Sequence, residues 1–147
     1  MNISIIAVGK NRNYLSEDVV LEYTKRLQHY TKLDWVFIPG SDIEEEGRRI
    51  LRAIPEESYV VLLDENGKSF SSPQLAQFLE KHLNESTKNL IFIIGGAHGF
   101  DKSVTARAEF LWSLSALTFP HELVRSILSE TLYRAFTIIK GEKYHHA

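Results

Sequence analysis

The sequence has no cysteine among its 147 residues, so the chain forms no disulfide and offers no thiolate to a metal ion. No apolar run approaches the roughly 18 residues that a membrane-spanning helix needs. The first residues lack a basic leader before an apolar core, which favours a first strand over a signal peptide. We therefore expect a cytoplasmic protein that does not associate with a membrane.

Positive charge is also scarce. Lysine and arginine together number 17 against 19 aspartate and glutamate residues, which gives a formal net charge of −2. This balance argues against nucleic-acid binding by bulk electrostatics, because that mode depends on neutralising many phosphates. A locally basic face is still compatible with it.

The common nucleotide and hydrolase motifs are missing as well. Neither G-x-G-x-x-G nor G-x-S-x-G occurs, which removes the dinucleotide-binding and hydrolase signatures. The segment Gly67-Lys68-Ser69 imitates the end of a phosphate-binding loop, but position 62 is leucine where that loop needs glycine. We interpret residues 64–69 as a hairpin-like turn. His145 and His146 are adjacent, and adjacent residues rarely chelate one ion, so we expect no metal site.

The sequence does contain an alternation of strand-like and helix-like patterns. Short apolar runs predict strands, and apolar residues at helical spacing predict helices. The predicted strands are residues 3–8, 34–38, 59–63, 90–94 and 110–114. The predicted helices begin near Ser16, at a Ser41–Glu44 capping box, at Ser72-Pro73, at residue 103 and at residue 121, and the last one runs to about residue 140. This order predicts a single α/β domain over residues 1–147, with a mainly parallel sheet flanked by helices.

The fourth predicted strand runs directly into a pair of glycines, Gly95 and Gly96, in the stretch FIIGGAHGF. Glycine weakens a strand, so positive φ, a tight turn or a close approach to bare main chain should require it here. In open α/β sheets ligands bind beyond the carboxyl ends of the strands, where the loops at 63–65, 95–99 and 114–120 should meet. A tight turn and a ligand lying against the main chain both explain the glycines.

The last helix and the tail carry polar groups that also allow two interpretations. Glu130 and Arg134 are four residues apart, in the order that favours an ion pair. The pair is either a solvated salt bridge or a clamp for an anionic substrate. Tyr144, His145 and His146 lie near the end, where residues are commonly frayed, yet tyrosine and histidine can stack on an unpaired base and histidine can move protons near neutrality.

Several stretches together resemble one family. IAVGK at 6–10, FIIGGAHG at 92–99, LWSLSALTFPHELVR at 111–125, ETLYRAFTII at 130–139 and the terminal YHH are similar to the RlmH family of ribosomal RNA pseudouridine methyltransferases. The similarity spans essentially the whole chain. The chain departs from the family pattern at Lys143, where proline is usual, at Ala147, where an acidic residue is common, and in a shortened loop at 39–42.

The resemblance implies a SPOUT methyltransferase fold with a C-terminal trefoil knot, and S-adenosylmethionine as the cofactor. On this interpretation the paired glycines allow the cofactor and the knotted loop to pass close to the main chain. The cofactor-binding residues that the resemblance implies are Leu63, Gly95, Gly96, Leu114, Ser115, Ala116, Leu117, Thr118 and Phe119.

The resemblance also implies a homodimer, in which the tail of one subunit completes the other's site. The implied substrate is the N3 nitrogen of a pseudouridine in 23S ribosomal RNA, within the assembled ribosome. His145, with Glu130 or His146, is expected to assist loss of the imino proton. Arg134 is expected to hold phosphate or the ionised base, and Tyr144 to stack. The basic residues expected to face the RNA are Lys10, Arg12, Arg125, Arg134, Lys140 and Lys143.

Two other functions remain open from the sequence. One is a SPOUT methyltransferase that acts on transfer RNA, which would keep the cofactor pocket and change the substrate. The other is a non-enzymatic nucleotide-binding or ribosome-associated module, which would bind no S-adenosylmethionine.

Overall fold

The computed structural model of the chain describes residues 1–9 and 14–146, with side chains described for all of these except 14–16. Its five strands form one sheet, in the order β2-β1-β4-β3-β5, and every neighbouring pair is parallel. The strands are β1 (Asn2–Val8), β2 (Lys32–Ile38), β3 (Ser58–Ser69), β4 (Asn89–Ile94) and β5 (Phe110–Ser113). The parallel sheet predicted from the sequence is thereby confirmed.

Helices cover both faces of this sheet. They are α1 (Tyr14–Leu27), α2 (Ile43–Ala53), α3 (Ser72–Asn84), α4 (Lys102–Arg107) and α5 (His121–Ile139). Leu27 of α1, Leu79 of α3 and Leu132 of α5 share one apolar core, whereas Ile50 of α2 and Val104 of α4 belong to the core on the opposite face. Because β1 and β4 lie between the two cores, their residues read as nearly continuous apolar runs. None of the helices in the described ranges combines the length and hydropathy that a membrane span requires.

Three helix starts differ from the sequence-based prediction, and the smallest difference is at α4, which begins at Lys102 instead of residue 103. Helix α1 begins at Tyr14, ahead of Ser16. Helix α2 is capped by the carboxylate of Asp42, which accepts from the main-chain N–H of Glu45 at 2.9 Å, so the predicted Ser41–Glu44 capping box is wrong. Aspartate is at least as good a cap as serine, and its side chain reaches the free N–H of the first turn. The predicted start at Ser72 is confirmed, with a capping box formed by Ser71 and Gln74.

The turn predicted at residues 64–69 is also wrong, because β3 continues to Ser69. After a register shift between Leu63 and Lys68, the strand pairs again with β5 through Lys68 and Ser69. Gly67 makes this second pairing possible. A Cβ atom at this position would lie 2.5 Å from the main-chain carbonyl of Leu111, closer than any side chain allows. The trefoil knot stays a prediction.

Candidate active site

A cavity of about 450 Å³ opens beyond the carboxyl ends of β4 and β5 and beside residues 63–66 of β3. This is the edge of a parallel sheet at which ligands bind in open α/β folds. All of the predicted cofactor-binding residues except Ala116 line this cavity, namely Leu63, Gly95, Gly96, Leu114, Ser115, Leu117, Thr118 and Phe119. Three segments that are far apart in the sequence therefore form one concave surface large enough for a nucleoside-sized ligand.

The cavity is also lined by residues that were not among the predicted cofactor-binding residues. Asp64 and Glu65 lie on the wall contributed by β3, and Phe100, His121 and Val124 also contribute. The sequence-based prediction placed Asp64 and Glu65 in a turn. Their polar side chains gave no indication that β3 continues past them and pairs again with β5. Both bring negative charge to the cavity rim, which is a favourable setting for a cationic ligand.

Hydrogen bonds hold the loop at 114–119 in shape. The Ser115 hydroxyl accepts from the main-chain N–H of Leu117 at 3.0 Å, and the Ser113 hydroxyl donates to the Ser115 carbonyl at 2.9 Å. Farther along, the Thr118 hydroxyl donates to the Glu65 carboxylate at 2.8 Å and so connects this loop to β3. The loop is therefore preorganised, which reduces the entropy lost when a ligand binds.

The glycine pair is required for space rather than for backbone conformation. Positive φ is found at Gly9, Gly99 and Gly141 but at neither Gly95 nor Gly96. A Cβ atom on Gly95 would lie 3.0 Å from the Phe100 ring, and one on Gly96 would lie 3.1 Å from Cγ1 of Val8. The close approach is thus made by the protein's own side chains, namely Phe100, which also lines the cavity, and Val8, which does not.

A second polar site lies near the other end of α5. The Arg134 guanidinium donates to Oε1 of Glu130 through Nε at 3.0 Å and through Nη2 at 2.6 Å. The Tyr144 hydroxyl donates to the same oxygen at 3.0 Å, and Nη1 of Arg134 lies 3.2 Å from Nδ1 of His145. We call Glu130, Arg134, Tyr144 and His145 the tail cluster. The predicted pair on α5 is therefore the anchor of the tail rather than a solitary surface ion pair.

The ring of Tyr144 is held on several sides. Its hydroxyl lies 3.0 Å from the hydroxyl of Tyr23, its ring packs edge-on against Tyr133, and the Arg134 guanidinium lies 4.8 Å above its centroid. Burial, the hydrogen bonds to Tyr23 and Glu130 and the negative charge of Glu130 raise the pKa of Tyr144. Tyr144 therefore remains a neutral hydrogen-bond donor at neutral pH.

The contact between Arg134 and His145 limits what the histidine can do. A guanidinium can only donate, so Nδ1 of His145 must accept, and a neutral imidazole then carries its proton on Nε2. In this arrangement Nε2 is a donor. The hydrogen bonding of Arg134 to the Glu130 carboxylate is the main cause that raises the pKa of Arg134, which keeps the donor charged. His146 is exposed, and no contact between it and the tail cluster occurs in the described part of the chain.

Within one chain, the cavity and the tail cluster do not meet. Val124 lines the cavity, and Glu130 and Arg134 lie six and ten residues farther along α5, which is about 9 and 15 Å along the helix axis. At 3.6 residues per turn, Glu130 is also rotated by about 120° around the helix from Val124. The two predicted sets of site residues are therefore separate in the monomer.

The predicted basic face needs a correction at Arg125. This side chain is 1% exposed, and its Nη2 donates to the carbonyls of Val8 and Gly9 at 3.1 and 2.9 Å. Burial lowers its pKa, and it cannot contact RNA in this position. Lys140 and Lys143 are exposed, whereas Lys10 and Arg12 lie outside the described residues, as does Ala147.

The remaining histidines show no arrangement typical of a metal centre. Nδ1 of His82 lies 2.7 Å from the Thr87 hydroxyl, and burial lowers its pKa. In the described ranges, no three histidine, aspartate or glutamate side chains are grouped so that they could hold a metal ion.

Comparisons with known proteins give a consistent result. A family model described as "Predicted SPOUT methyltransferase" matches residues 1–145. The chain is 42% identical to a ribosomal RNA large subunit methyltransferase H of Christiangramia forsetii, with 99% of each chain covered. It is 41% identical to the protein of that name in Geotalea daltonii, over 99% of this chain and all of the other.

Among solved structures, the chain is similar to the SpoU methyltransferase AviRb of Streptomyces viridochromogenes, which was crystallised with AdoMet. The TM-score is 0.46 and the identity 11%, with 96% of this chain and 61% of that chain covered. A likeness at this level adds nothing to the assignment of the site.

Proposed function

The chain belongs to the SPOUT methyltransferase family, and on this premise we propose that it methylates large-subunit ribosomal RNA with S-adenosylmethionine as the methyl donor. The observation that carries the proposal is the preformed cavity, where bare main chain at Gly95 and Gly96 faces a hydrogen-bonded loop at 114–119. The relatives that share about two-fifths of its sequence over their full length are named for activity on this RNA.

The residues present suit the cofactor. Leu114, Leu117 and Phe119 supply apolar surface for a flat heterocycle, and the rim carboxylates of Asp64 and Glu65 suit a positive charge. The ordered loop supplies main-chain donors and acceptors without further folding. When bound, S-adenosylmethionine supplies an electrophilic methyl group, so the contribution of the protein is positioning and exclusion of water.

We assign the finer substrate as the N3 nitrogen of a pseudouridine in 23S ribosomal RNA, in the assembled ribosome and hence in the cytoplasm. This nitrogen must lose its proton to become nucleophilic, and negative charge then develops on the base. Arg134 and the Nε2–H of His145 are both donors that can stabilise this charge. The proton itself passes to the second carboxylate oxygen of Glu130, to His146 or to solvent. This assignment changes the expected role of His145 from proton acceptor to donor.

We further propose that the active enzyme is a homodimer, in which the tail cluster of one subunit faces the cavity of the other. The support is geometric, because the cavity and the tail cluster lie on different faces of α5 and about 9 to 15 Å apart along it. Since the tail is bonded to Glu130 and Arg134 of its own chain, the cluster would act on the partner as one unit. Because a homodimer has a twofold axis, each dimer would contain two such composite sites, each formed by the cavity of one subunit and the tail cluster of the other.

Methyl transfer from labelled S-adenosylmethionine to ribosomes that lack the modification tests the activity, with mass spectrometry of the digested RNA locating the methyl group. We expect label in 23S RNA at a pseudouridine N3, and little label in naked RNA, because a chain of net charge −2 binds phosphate weakly by charge alone. Transfer RNA serves as the alternative substrate. Label found only in transfer RNA, or no heat in a calorimetric titration with the cofactor, would contradict the proposal.

Subunit complementation tests the dimer. A cavity variant, Gly96→Val, and a cluster variant, Arg134→Ala, should each be inactive alone. Mixed and reassociated at equal amounts, they should recover about a quarter of wild-type activity, because half of the dimers are mixed and each of these has one intact composite site. If the cavity and the cluster act within one chain, mixing restores nothing.

A further inference from the structure

The side chain of Glu46, on α2, is a buried carboxylate that the proposed reaction does not use. It is 6% exposed, and its Oε2 accepts from the main-chain N–H of Ser41 at 2.8 Å. No lysine, arginine or histidine of the described residues forms an ion pair with it. Buried charges in proteins normally have a partner of opposite sign, because removing a charge from water is costly.

This carboxylate lies directly behind the cavity wall. A Cβ atom built on Gly96 would lie 3.3 Å from Oε1 of Glu46 and 3.6 Å from its Oε2. Gly96 itself lines the cavity, whereas Glu46 does not. One layer of main chain therefore separates the carboxylate from whatever occupies the cavity, and the glycine leaves that layer without a side chain.

Among the described residues, residues 1–9 and 14–146, the charge of Glu46 is compensated only in part. Glu46 lies in the first turn of α2, where the helix dipole and the Ser41 N–H favour a negative charge. Neither supplies a full positive charge. The rim carboxylate of Glu65 is exposed, so solvent and salt screen it, but the field of a buried carboxylate extends through the protein with much less screening.

We propose that Glu46 makes the cavity selective for a cationic ligand over a neutral ligand of the same shape. This inference rests on the proposed function, for which the relevant pair is the sulfonium of S-adenosylmethionine and the thioether of S-adenosylhomocysteine. Methyl transfer leaves the electron pair of the broken bond on sulfur, so the positive charge at that atom is lost as the RNA is methylated. Glu46 therefore favours binding of the methyl donor and does not favour retention of the product.

Calorimetric titration with each of the two compounds tests this without relying on activity. We expect Glu46→Gln, which keeps the shape and can still accept from Ser41, to weaken S-adenosylmethionine binding roughly tenfold. S-adenosylhomocysteine binding should change by less than about twofold, because it has no charge at sulfur. Glu44→Gln is the matched control, since Glu44 is exposed on the same helix and removes the same charge; it should change neither affinity.

The ratio of the two affinities decides the outcome. If Glu46→Gln weakens both ligands equally, or neither, the inference is wrong, because Glu46 then acts on shape or not at all. If the glutamine variant does not fold, Glu46→Met tests the same loss of charge. Glu46→Asp keeps the charge and should retain most of the wild-type ratio of S-adenosylmethionine affinity to S-adenosylhomocysteine affinity. If the wild-type protein binds neither compound, the proposed function fails instead, which separates the two results.

Discussion

The cavity and the tail cluster differ in the chemical groups that form them. The cavity is lined by bare main chain at two glycines, by apolar side chains and by a loop that serine hydroxyls hold in shape, with two carboxylates at its rim. The tail cluster consists of charged and titratable side chains, all joined to a single glutamate oxygen or to its arginine partner. A surface of main chain and apolar side chains recognises the shape of a ligand, whereas a group of ionised side chains stabilises charge that develops during a reaction.

The comparison teaches that binding and chemistry are separable in this protein. Changes in the cavity should alter cofactor affinity, and changes in the tail cluster should alter the rate of methyl transfer at saturating cofactor. The separation has a structural basis, since the two regions lie on different faces of α5 in one chain.

The largest effect is expected from Arg134→Ala. Removing the guanidinium deletes a donor toward the developing negative charge, so kcat should fall roughly 100-fold, while the dissociation constant for S-adenosylmethionine stays within about twofold. Arg49→Ala is the matched control, because Arg49 forms a similar pair with a glutamate four residues earlier. A parallel loss of cofactor affinity in Arg134→Ala would erase the distinction between the two regions.

His145 allows the role of the tail cluster to be tested by a pair of variants. If Nε2 acts as a donor, His145→Ala should lower kcat by roughly 10- to 100-fold, and His145→Gln, whose amide can both donate and accept, should recover most of the rate. Single-turnover methylation of ribosomes is the measurement. If the glutamine variant is as slow as the alanine variant, His145 acts as a base.

Gly96→Ala is expected to weaken S-adenosylmethionine binding roughly tenfold with a smaller effect on kcat. The new methyl group would lie 3.1 Å from Val8 and 3.3 Å from Glu46, so these side chains or the main chain must move by a few tenths of an ångström, and such overpacking costs about 1 to 3 kcal/mol. Gly40→Ala is the control, because a Cβ there meets nothing within 4 Å. Calorimetry gives the affinities, and unchanged binding in Gly96→Ala would show that the wall tolerates displacement.

Tyr144→Phe should have a smaller effect. The ring that packs on Tyr133 remains, but the hydroxyl between Tyr23 and Glu130 is lost, which should lower stability by about 1 kcal/mol. We expect the methylation rate to fall a few-fold, because the cluster is loosened and no charge is removed. Urea unfolding and a rate assay measure the two effects, and a loss as large as that of Arg134→Ala would mean that the hydroxyl contacts substrate.

The smallest effect concerns Tyr30, which fixes the chain after α5. Its hydroxyl donates to Glu142 at 2.8 Å; burial and this carboxylate raise its pKa to about 12 from 10.0. Since the folded protein keeps the proton longer than the unfolded chain, the stabilisation is complete below pH 10 and is lost as the pH rises toward 12. Urea unfolding at several pH values should show a steeper decline for wild type than for Tyr30→Phe. Equal slopes would exclude the contribution.

Local patterns were informative wherever a residue acts through its neighbours in sequence. The five strands and five helices follow from apolar periodicity, and the pairing of Glu130 with Arg134 follows from their spacing of four. The meeting of the three loops followed from the rule for ligand sites in open α/β sheets, and the individual cofactor-binding residues came from the resemblance to a family. The structure brings all of these residues except Ala116 to one surface. Nothing in the spacing of Gly95 and Gly96 indicated that Phe100 and Val8 would be the groups pressing on them.

Contacts between distant segments account for what was missed. Residues 64–69 have the composition of a turn, yet β3 continues through them, and the pairing of Lys68 and Ser69 with β5 outweighs the local preference. Arginine is usually a surface residue, and Arg125 was expected to face RNA. Helix α5 instead places the Arg125 side chain against the end of β1, where the carbonyls of Val8 and Gly9 accept hydrogen bonds from it. Glu46 is one of three consecutive glutamates, and only the fold shows that it is the buried one of the three.

The sequence by itself determined the order of the elements, the sheet class and the ion pair on α5, because hydrophobic period and residue spacing act over a few residues. Only the tertiary structure decided which groups contact each other. The examples are the Glu46 carboxylate beside Gly96, the Tyr144 hydroxyl bonded to Glu130, and the Arg125 guanidinium bonded to the end of β1. Each of these contacts joins residues that lie far apart in sequence. A local sequence pattern does not predict such contacts, because they depend on how the whole chain folds.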